Sequence, residues 1–511
     1  MPTRRPTKKP VSPVVLAGAG PGDPGLITVK AAEALARADV IVADADVPAD
    51  VLSGLSAEIL PVGEDAAGVC VARAKAGERV VRLCSGDPFV AAGGAGQPMA
   101  QALAKAKVPF EVIPGVAATV AVPAYAGIPL GLPRTVATIE DADWAALANS
   151  PGPLVLLGAA VDVGKAATAL LEHGRRGDTP ASVTTSGTTT DQRTLVGTLD
   201  GLEALAGDLT GSVVIVLGDV VKQRDKLSWW ETRPLFGWTV LVPRTRDQAG
   251  AMSELLAAAG ARSLEVPTIA VEPPRTSAPM ERALKGLVSG RYQWIAFTSA
   301  NAVKAIREKL DEYGLDARAF AGVKVAAVGE VTAESLRAYG VRPDLVPSGQ
   351  QSSEGLLADW PDYDDLLDPL DRVLLPRADI ATETLVAGLK ERGWAVDDVT
   401  AYRTVRAAPP PAPIREALKG GRVDAVLFTS SSTVRNLVGI AGKPHESTVL
   451  AAIGPQTAQT MSELGLRVDV QSEDSTVPAL VAALAEHALE RRAAGHAAPP
   501  SASVKSPRRK R

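Results

Sequence analysis

Short apolar runs rich in β-branched residues alternate along the chain with amphipathic stretches. In the second half, for example, the run VLVP is followed by AGAMSELLAAAG and then by LEVPTIAV. The apolar runs predict strands, and the amphipathic stretches predict helices. This alternation is typical of parallel sheets covered by helices on both faces, so we predict an α/β protein.

The sequence from Leu241 onward contains an internal duplication. Three segments of the first copy recur in the same order in the second copy, LVPRTR as LLPRAD, AFTSANAV as LFTSSSTV, and VAAVGEVTA as LAAIGPQTA. The spacing between the copies is nearly constant, at 133, 131 and 125 residues. Chance similarity explains such a pattern poorly, and the duplication predicts two related α/β lobes.

Serine, threonine and glycine residues mark the predicted carboxyl ends of the strands in both lobes. In open parallel sheets, ligands bind outside these ends. The helix that follows offers unpaired N–H groups and a partial positive charge, so the two lobes present matching anion-binding ends. Hydroxyl residues there also cap helices for stability alone, and both roles stay open. The positions are Thr298, Ser299, Gly329, Thr429, Ser430 and Gly454.

Composition narrows the class of protein. The chain has 511 residues, 46 % of them hydrophobic and 22 % charged, which predicts about two to four soluble domains. A formal net charge of −4 gives no reason to expect nucleic-acid binding. Without a long apolar stretch or a signal-peptide pattern, we expect a cytoplasmic protein with no membrane segment. Cys70 and Cys84 lack metal-ligand spacing, so no metal site is expected.

Three glycine-rich segments in the first half predict a small-molecule pocket. They are LAGAGPGDPGLITVK from Leu16, CSGDPF from Cys84 and PGVAATVAVPAYAGIP from Pro114. The first joins an apolar run to a turn of glycines and prolines and then to an amphipathic helix. Such a turn lets backbone N–H groups face a ligand without side-chain obstruction.

These three segments, in this order, resemble the tetrapyrrole methylase family from about Pro13 to Val221, and look most like uroporphyrinogen-III C-methyltransferase. The resemblance implies S-adenosylmethionine as cofactor and places the family's catalytic base on Asp44. Its cofactor contacts, which are mostly backbone, fall on Pro21, Ser85, Gly86, Asp87, Val90, Ala117, Ala118, Leu157 and Gly187.

Two departures from the methylase pattern concern charge. Glu64 stands where the family has a lysine that donates a proton, and VAAGGAGQP from Val90 replaces a segment that contains an arginine. The family's substrate is a polyanion, and each lost charge-assisted contact is worth about 1.5–3 kcal/mol. Three alternatives follow for this domain: an inactive methyltransferase-like scaffold, an active methyltransferase that makes the enzyme bifunctional, or part of a non-catalytic sensor of tetrapyrrole or S-adenosylmethionine.

The duplicated half resembles uroporphyrinogen-III synthase from about Gly237 to Leu489. The resemblance implies cyclisation of hydroxymethylbilane with inversion of the last pyrrole ring, without a cofactor. It also implies one lobe from residues 237–272 plus 406–489 and another from residues 273–405. Family positions that contact substrate or affect activity map onto Ser299, Thr332, Ser430 and Thr457, and a tyrosine near the crossover maps onto Tyr402.

Tyr402 is our candidate for assisting the leaving hydroxyl, because a phenol can donate a hydrogen bond. Packing at the hinge is its structural alternative. Arg244 and Arg377, in the repeated Pro-Arg pair, either meet substrate carboxylates or brace a helix.

The remaining segments complete the predicted organisation. We expect basic disordered tails at residues 1–12 and 490–511, a methylase-like domain at residues 13–225, and an ordered linker at residues 226–236. Expected partners are small-molecule substrates, hydroxymethylbilane and, for an active methyltransferase, uroporphyrinogen III, with no nucleic acid and no membrane. The methylase resemblance also implies a homodimer through the first domain.

Overall fold

The computed structural model describes residues 10–90, 96–244, 246–496 and 499–503, whose strands form four five-stranded sheets. The described residues group into two compact units. One unit contains residues 10–240, 251–263 and 481–503, and the other contains residues 241–250 and 264–480. None of the described helices is both long and apolar enough to cross a lipid bilayer.

The first sheet is parallel, with strand order β3-β2-β4-β1-β5. Alternate residues of its central strands enter two separate cores, Leu16 and Val42 on one face and Ile41 and Leu83 on the other. Burial on both faces explains why these strands are continuously apolar in sequence. The strands are β1 Val14–Gly18, β2 Val40–Ala43, β3 Glu58–Pro61, β4 Val80–Cys84 and β5 Phe110–Ile113.

The second sheet is mixed, with order β6-β7-β10-β8-β9. Only the β6 and β7 pair is parallel, whereas β10 runs antiparallel to both of its neighbours. The strands are β6 Thr135–Thr138, β7 Leu154–Ala159, β8 Pro180–Thr185, β9 Arg193–Thr198 and β10 Ser212–Leu217. The helices of this part of the chain are α1 Val29–Ala36, α2 Ala49–Leu52, α3 Ala66–Lys75, α4 Gly96–Lys105, α5 Ala118–Tyr125, α6 Trp144–Ala148, α7 Val163–Glu172, α8 Leu202–Ala206 and α9 Arg224–Leu227.

The later strands form two further sheets, ordered β12-β11-β18-β19-β20 and β13-β17-β16-β14-β15. The strands are β11 Thr239–Val242, β12 Arg262–Glu265, β13 Ile269–Glu272, β14 Trp294–Phe297, β15 Lys324–Ala327, β16 Arg372–Ala378, β17 Ala395–Arg406, β18 Ala425–Phe428, β19 Val449–Ala452 and β20 Val470–Gln471. The helices are α10 Arg246–Ala258, α11 Ala278–Val288, α12 Ala300–Glu312, α13 Glu330–Ala338, α14 Ser353–Ala358, α15 Thr384–Glu391, α16 Ala412–Lys419, α17 Ser431–Ala441, α18 Pro455–Glu463 and α19 Val477–Ala493.

The α/β prediction is confirmed, with one difference at a sheet edge. Strand β13 pairs antiparallel with β17, and Ile269 lies opposite Arg406. We predicted parallel pairing in the lobes. The edge is antiparallel because the chain enters this sheet along β13 and leaves along the end of β17, in opposite directions.

The predicted tails are only partly within the described residues. Residues 1–9 and 504–511 lie outside them. Helix α19 continues past the predicted boundary at residue 490 and ends at Ala493. The Arg492 guanidinium donates to the carbonyls of Thr232 and Arg233, both at 3.1 Å. These contacts fix the end of the helix, so the ordered chain extends farther than composition predicted.

Three glycines bring the strand ends of the first sheet into close backbone contact. A Cβ on Gly18 would lie 2.5 Å from the Cα of Gly115 and overlap the carbonyl of Gly86. Each of these glycines belongs to one of the three glycine-rich segments. The segments therefore meet at one point, where only glycine fits.

We expect Gly18→Ala to lower the free energy of unfolding by at least about 1–3 kcal/mol, the usual cost of overpacking. The added Cβ would clash with backbone rather than with a movable side chain. Thermal unfolding followed by circular dichroism measures the effect. Gly63→Ala is the matched control, since no heavy atom lies within 4 Å of its added Cβ. Equal midpoints for the two variants would contradict the close packing.

Candidate functional site

A cavity of about 1030 Å³ opens at the strand ends of the first sheet. Its wall includes the turn after β1, the turn after β4 and the start of helix α5. All nine residues that the sequence assigned to the cofactor, and Asp44, lie in this wall. The nine are Pro21, Ser85, Gly86, Asp87, Val90, Ala117, Ala118, Leu157 and Gly187.

Asp44 is held in place by a buried cation. Its carboxylate forms an ion pair with the Arg82 guanidinium and accepts the Ser85 backbone N–H at 3.0 Å. Arg82 is 2 % exposed and also donates to the carbonyl of Leu83 at 2.6 Å. Sequence reasoning missed Arg82, although a charged residue inside the apolar run VVRLC was a visible signal. The pairing compensates the charge of Asp44.

The loop between β8 and β9 forms another part of the cavity wall. Ser186 and Thr188 have positive φ angles of 50° and 66°, which is unfavourable for residues with a side chain. The fully buried Thr188 is fixed by two hydrogen bonds, since its Oγ1 accepts the Asp23 N–H at 2.9 Å and its N–H donates to Gln192 at 2.7 Å. The surroundings thus hold this loop in a strained shape.

The aromatic linker contacts the same loop. Trp230 donates its indole N–H to the Thr189 carbonyl at 2.9 Å, and Glu231 accepts from Gln192 at 2.8 Å. Arg233 lies over the Trp229 and Trp230 rings, at 4.9 and 4.1 Å from the ring centroids. The sequence predicted an ordered linker, but its attachment to the cavity wall requires the tertiary structure.

Tyr125, at the end of helix α5, joins this network. Its hydroxyl donates to Asp23 at 2.7 Å, and its ring packs against Trp229 and Trp230. Burial, followed by the hydrogen bond to Asp23, raises the pKa of Tyr125. The phenol therefore stays protonated and keeps donating to the turn that follows β1.

A second candidate site lies at the carboxyl edge of β14 and β16. Ser299 follows β14, and its Oγ lies 2.9 Å from the Tyr402 hydroxyl. Tyr402 belongs to β17, is 7 % exposed and packs in the same core as Phe297. Ser299 also accepts the Ala302 N–H at 3.2 Å, so it caps helix α12. The structure thus joins two residues that the sequence assigned independently.

The equivalent serine of the other copy has different partners. Ser430 caps helix α17 by accepting the Thr433 N–H at 3.3 Å, and its Oγ lies 2.9 Å from that of Ser432. Thr332 and Thr457 lie in the first turns of α13 and α18, each 4 % exposed. Within the described residues, neither threonine hydroxyl has a hydrogen-bond partner.

The duplicated arginines differ in their surroundings. Arg377 is 6 % exposed and donates to Asp398 at 2.6 Å and to Glu383 at 2.8 Å. The hydrogen bonds to Asp398 raise the pKa of Arg377. Protein acceptors therefore already occupy the Arg377 guanidinium, which favours the bracing alternative over substrate binding at this position.

Arg244 has no such carboxylates. It donates to Thr429 Oγ1 at 2.9 Å, and no described acidic side chain pairs with it. Burial lowers the pKa of Arg244, because desolvation disfavours its charged form. Of the two arginines, this one keeps donors available for a ligand.

Among the described residues, no group of three or more His, Cys, Asp or Glu side chains is placed to hold a metal ion. Both cysteines are buried free thiols, and burial raises the pKa of each to about 11. Neither thiol is therefore an activated nucleophile.

Comparison with known proteins identifies the two halves separately. Residues 13–203 match the family model described as tetrapyrrole (corrin/porphyrin) methylases. Residues 250–482 match the family model described as uroporphyrinogen-III synthase HemD. The chain therefore combines a methylase-like domain with a synthase domain, in the order that the sequence predicted.

One relative covers both halves. The porphyrin biosynthesis protein HemD of Ruminiclostridium josui is 30 % identical over 503 residues, which is 93 % of this chain and 97 % of that protein. The chain belongs to this HemD family. The siroheme synthase of Neisseria meningitidis strain FAM18 is 39 % identical over 240 residues, 42 % of this chain and 49 % of that protein.

Among solved structures, the uroporphyrin-III C-methyltransferase of Thermus thermophilus complexed with S-adenosylhomocysteine is 30 % identical. The match covers 41 % of this chain and 94 % of that chain, with a TM-score of 0.38.

Proposed function

We propose that the chain is a uroporphyrinogen-III synthase that cyclises hydroxymethylbilane and inverts the last pyrrole ring. In this reaction the terminal hydroxymethyl C–O bond breaks, and a new C–C bond joins the two ends of the linear tetrapyrrole. The observation that supports the proposal best is the contact between Ser299 and Tyr402, 2.9 Å apart at a sheet edge. The HemD relative, which covers nearly the whole chain, supports the same reaction.

The Ser299 and Tyr402 pair can assist departure of the hydroxyl group. Because Ser299 Oγ already accepts the Ala302 N–H, its own proton is available for the Tyr402 oxygen. A phenol that accepts this hydrogen bond keeps its proton free for a further acceptor. In our proposal that acceptor is the leaving hydroxyl oxygen, which departs as water with the proton of Tyr402. Ring closure releases one proton from a pyrrole carbon, which balances the proton that Tyr402 gives up. General acid assistance of this kind accelerates reactions by about 10² to 10⁴.

Helix N-termini supply the proposed binding sites for substrate carboxylates. Helices α12 and α13 follow the neighbouring strands β14 and β15, and α17 and α18 follow β18 and β19. Their free N–H groups and partial positive charge suit a substrate with eight carboxylates. The hydroxyls of Thr332 and Thr457, in two of these first turns, are available for the same purpose. Holding both substrate ends in place supplies about 7–11 kcal/mol of the barrier reduction.

Arg244 is the proposed side-chain anchor. Its guanidinium is partly desolvated and has Thr429 rather than a carboxylate as its partner. A substrate carboxylate would replace the hydration that the Arg244 guanidinium loses through burial. We keep the division into lobes of residues 237–272 plus 406–489 and 273–405 as part of this proposal.

The first domain holds S-adenosylmethionine in this proposal. The wall of its cavity combines small residues, glycine, alanine, serine and threonine, with acidic ones, and a Cβ on Gly187 would collide with Val122. Asp87 keeps the turn after β4 in shape by accepting the Gly115 N–H at 3.0 Å and the Phe89 N–H at 2.8 Å. The cofactor, when bound, supplies an electrophilic methyl group. The chain's residues orient its adenosine and amino-acid portions through backbone groups.

Tyr402→Phe should reduce formation of the type III isomer by roughly 10² to 10⁴, because the proposed proton donor is lost. Freshly made hydroxymethylbilane is supplied to the purified full-length protein, and oxidised products are resolved by isomer against the spontaneous type I background. Tyr339→Phe is the matched control, since its buried hydroxyl has no hydrogen-bond partner in the structure. Full activity of Tyr402→Phe would remove Tyr402 from the mechanism, and type I product alone from the unmodified protein would refute the synthase proposal.

Substitution of the duplicated arginines should separate binding from stability. Arg244→Gln should raise KM with little change in Tm, because it removes an anchor that no described carboxylate uses. Arg377→Gln should instead lower stability by about 1.5–3 kcal/mol, because it removes the charge-assisted hydrogen bonds of a buried guanidinium to Asp398 and Glu383. Steady-state kinetics and thermal unfolding of both variants give the two readouts. A raised KM for Arg377→Gln together with a lowered Tm for Arg244→Gln would instead assign substrate binding to Arg377 and stability to Arg244.

Isothermal titration with S-adenosylhomocysteine tests the proposed cofactor cavity. We expect saturable binding by the full-length protein and weaker binding by Asp87→Ala, because the turn after β4 loses both of its side-chain acceptors. Asp219→Ala, a substitution of an exposed carboxylate outside the cavity wall, is the control. Absence of binding by the unmodified protein would refute this part of the proposal.

A further inference from the structure

We infer that the acidic wall of the N-terminal cavity excludes polycarboxylate tetrapyrroles, so that the synthase product leaves the protein unmethylated. This inference rests on the proposed function, since it treats the cavity as a cofactor site and the duplicated half as the source of the product. Asp46, Glu140 and Asp191 are the residues that we assign to this exclusion.

The charges of the wall support the inference. Among the described residues, five carboxylates line the cavity, on Asp44, Asp46, Asp87, Glu140 and Asp191, and no lysine, arginine or histidine does. Arg82 compensates Asp44 from behind the wall. Asp87 accepts two backbone N–H groups, but it forms no ion pair within the described part of the chain.

The other three carboxylates are uncompensated. Asp46, Glu140 and Asp191 are exposed, and none of them forms an ion pair with a described residue. Residues 91–95, which follow Val90 in the sequence, are alanine and glycine only. Among the described residues of the wall, four carboxylates therefore have no cationic partner.

This charge pattern separates the two ligands by their chemistry. Uroporphyrinogen III carries eight carboxylates, and like charges brought together without counter-charges oppose binding. S-adenosylmethionine has a positive sulfonium, and the methylase resemblance implies that its other contacts are mostly with backbone groups. The wall thus repels the macrocycle while leaving cofactor binding possible. Salt screens repulsion across a water-filled cavity, so the proposed exclusion should weaken as the salt concentration rises.

The experiment counts uroporphyrin III molecules bound per chain, by isothermal titration of the full-length protein with this stable octacarboxylate. We expect at most one, at the synthase site. The triple variant Asp46→Lys, Glu140→Lys, Asp191→Lys should gain a second site whose binding is about tenfold or more tighter at low salt than at high salt. The control triple Glu172→Lys, Asp208→Lys, Asp225→Lys adds the same charge away from the cavity wall and should gain none.

Three outcomes would overturn the inference. The first is a second uroporphyrin molecule bound by the unmodified protein. The second is methylated product, formed by the unmodified protein from hydroxymethylbilane and labelled S-adenosylmethionine. The third is the absence of a second uroporphyrin site in a triple lysine variant that still binds S-adenosylhomocysteine. If the triple lysine variant loses S-adenosylhomocysteine binding, the neutral triple variant Asp46→Asn, Glu140→Gln, Asp191→Asn is tested instead. The number of uroporphyrin molecules bound per chain is then counted in the same way. Failure of the unmodified protein to bind S-adenosylhomocysteine would refute the proposed cofactor site instead, while the uroporphyrin count would still test exclusion.

Discussion

A parallel strand that leads directly into a helix leaves its last residues at one sheet edge, beside N–H groups that have no partner within the helix. This constraint places the functional residues in both halves of the chain. In the first sheet it brings three glycine-rich turns together, and Gly18, Gly86 and Gly115 allow their backbones to touch. In the synthase half it places Ser299 and Ser430 at helix starts after equivalent strands. The cavity and the hydroxyl pair thus depend on the same property of parallel sheets.

Duplication supplied two similar lobes, and the structure shows how far they have diverged. Ser299 caps its helix and also meets Tyr402, whereas Ser430 meets Ser432 and Thr433. Arg377 is surrounded by two carboxylates, while Arg244 has a threonine. An ion pair that is already complete contributes to stability, and an incomplete one is available for a ligand. Equivalent sequence positions therefore have different partners, and in our proposal the chemistry belongs mainly to one lobe while a charge anchor belongs to the other.

In our proposals, the cofactor cavity and the acceptor site of the N-terminal domain are separable. Backbone geometry shapes the first. Side-chain charge shapes the second, and the described residues of its wall bear carboxylates without cations. The linker adds a further connection, because Trp230 and Glu231 contact the strained loop that contains Thr188. Cofactor geometry can thus be retained where the charge needed for a polyanionic acceptor has been lost.

The sequence by itself determined the α/β class and the duplication, and it supplied the candidate residues of both sites, because strand ends, glycine turns and repeated segments can be read along the chain. It could not decide which of Arg244 and Arg377 pairs with described carboxylates, since only folding brings Asp398 and Glu383 to Arg377. It missed Arg82 behind Asp44 and the end of helix α19 at Ala493 for the same reason. The antiparallel pairing of β13 with β17 also needed the fold, because their pairing residues are more than 130 positions apart. Contacts between distant segments decide charge compensation, and only the tertiary structure contains them.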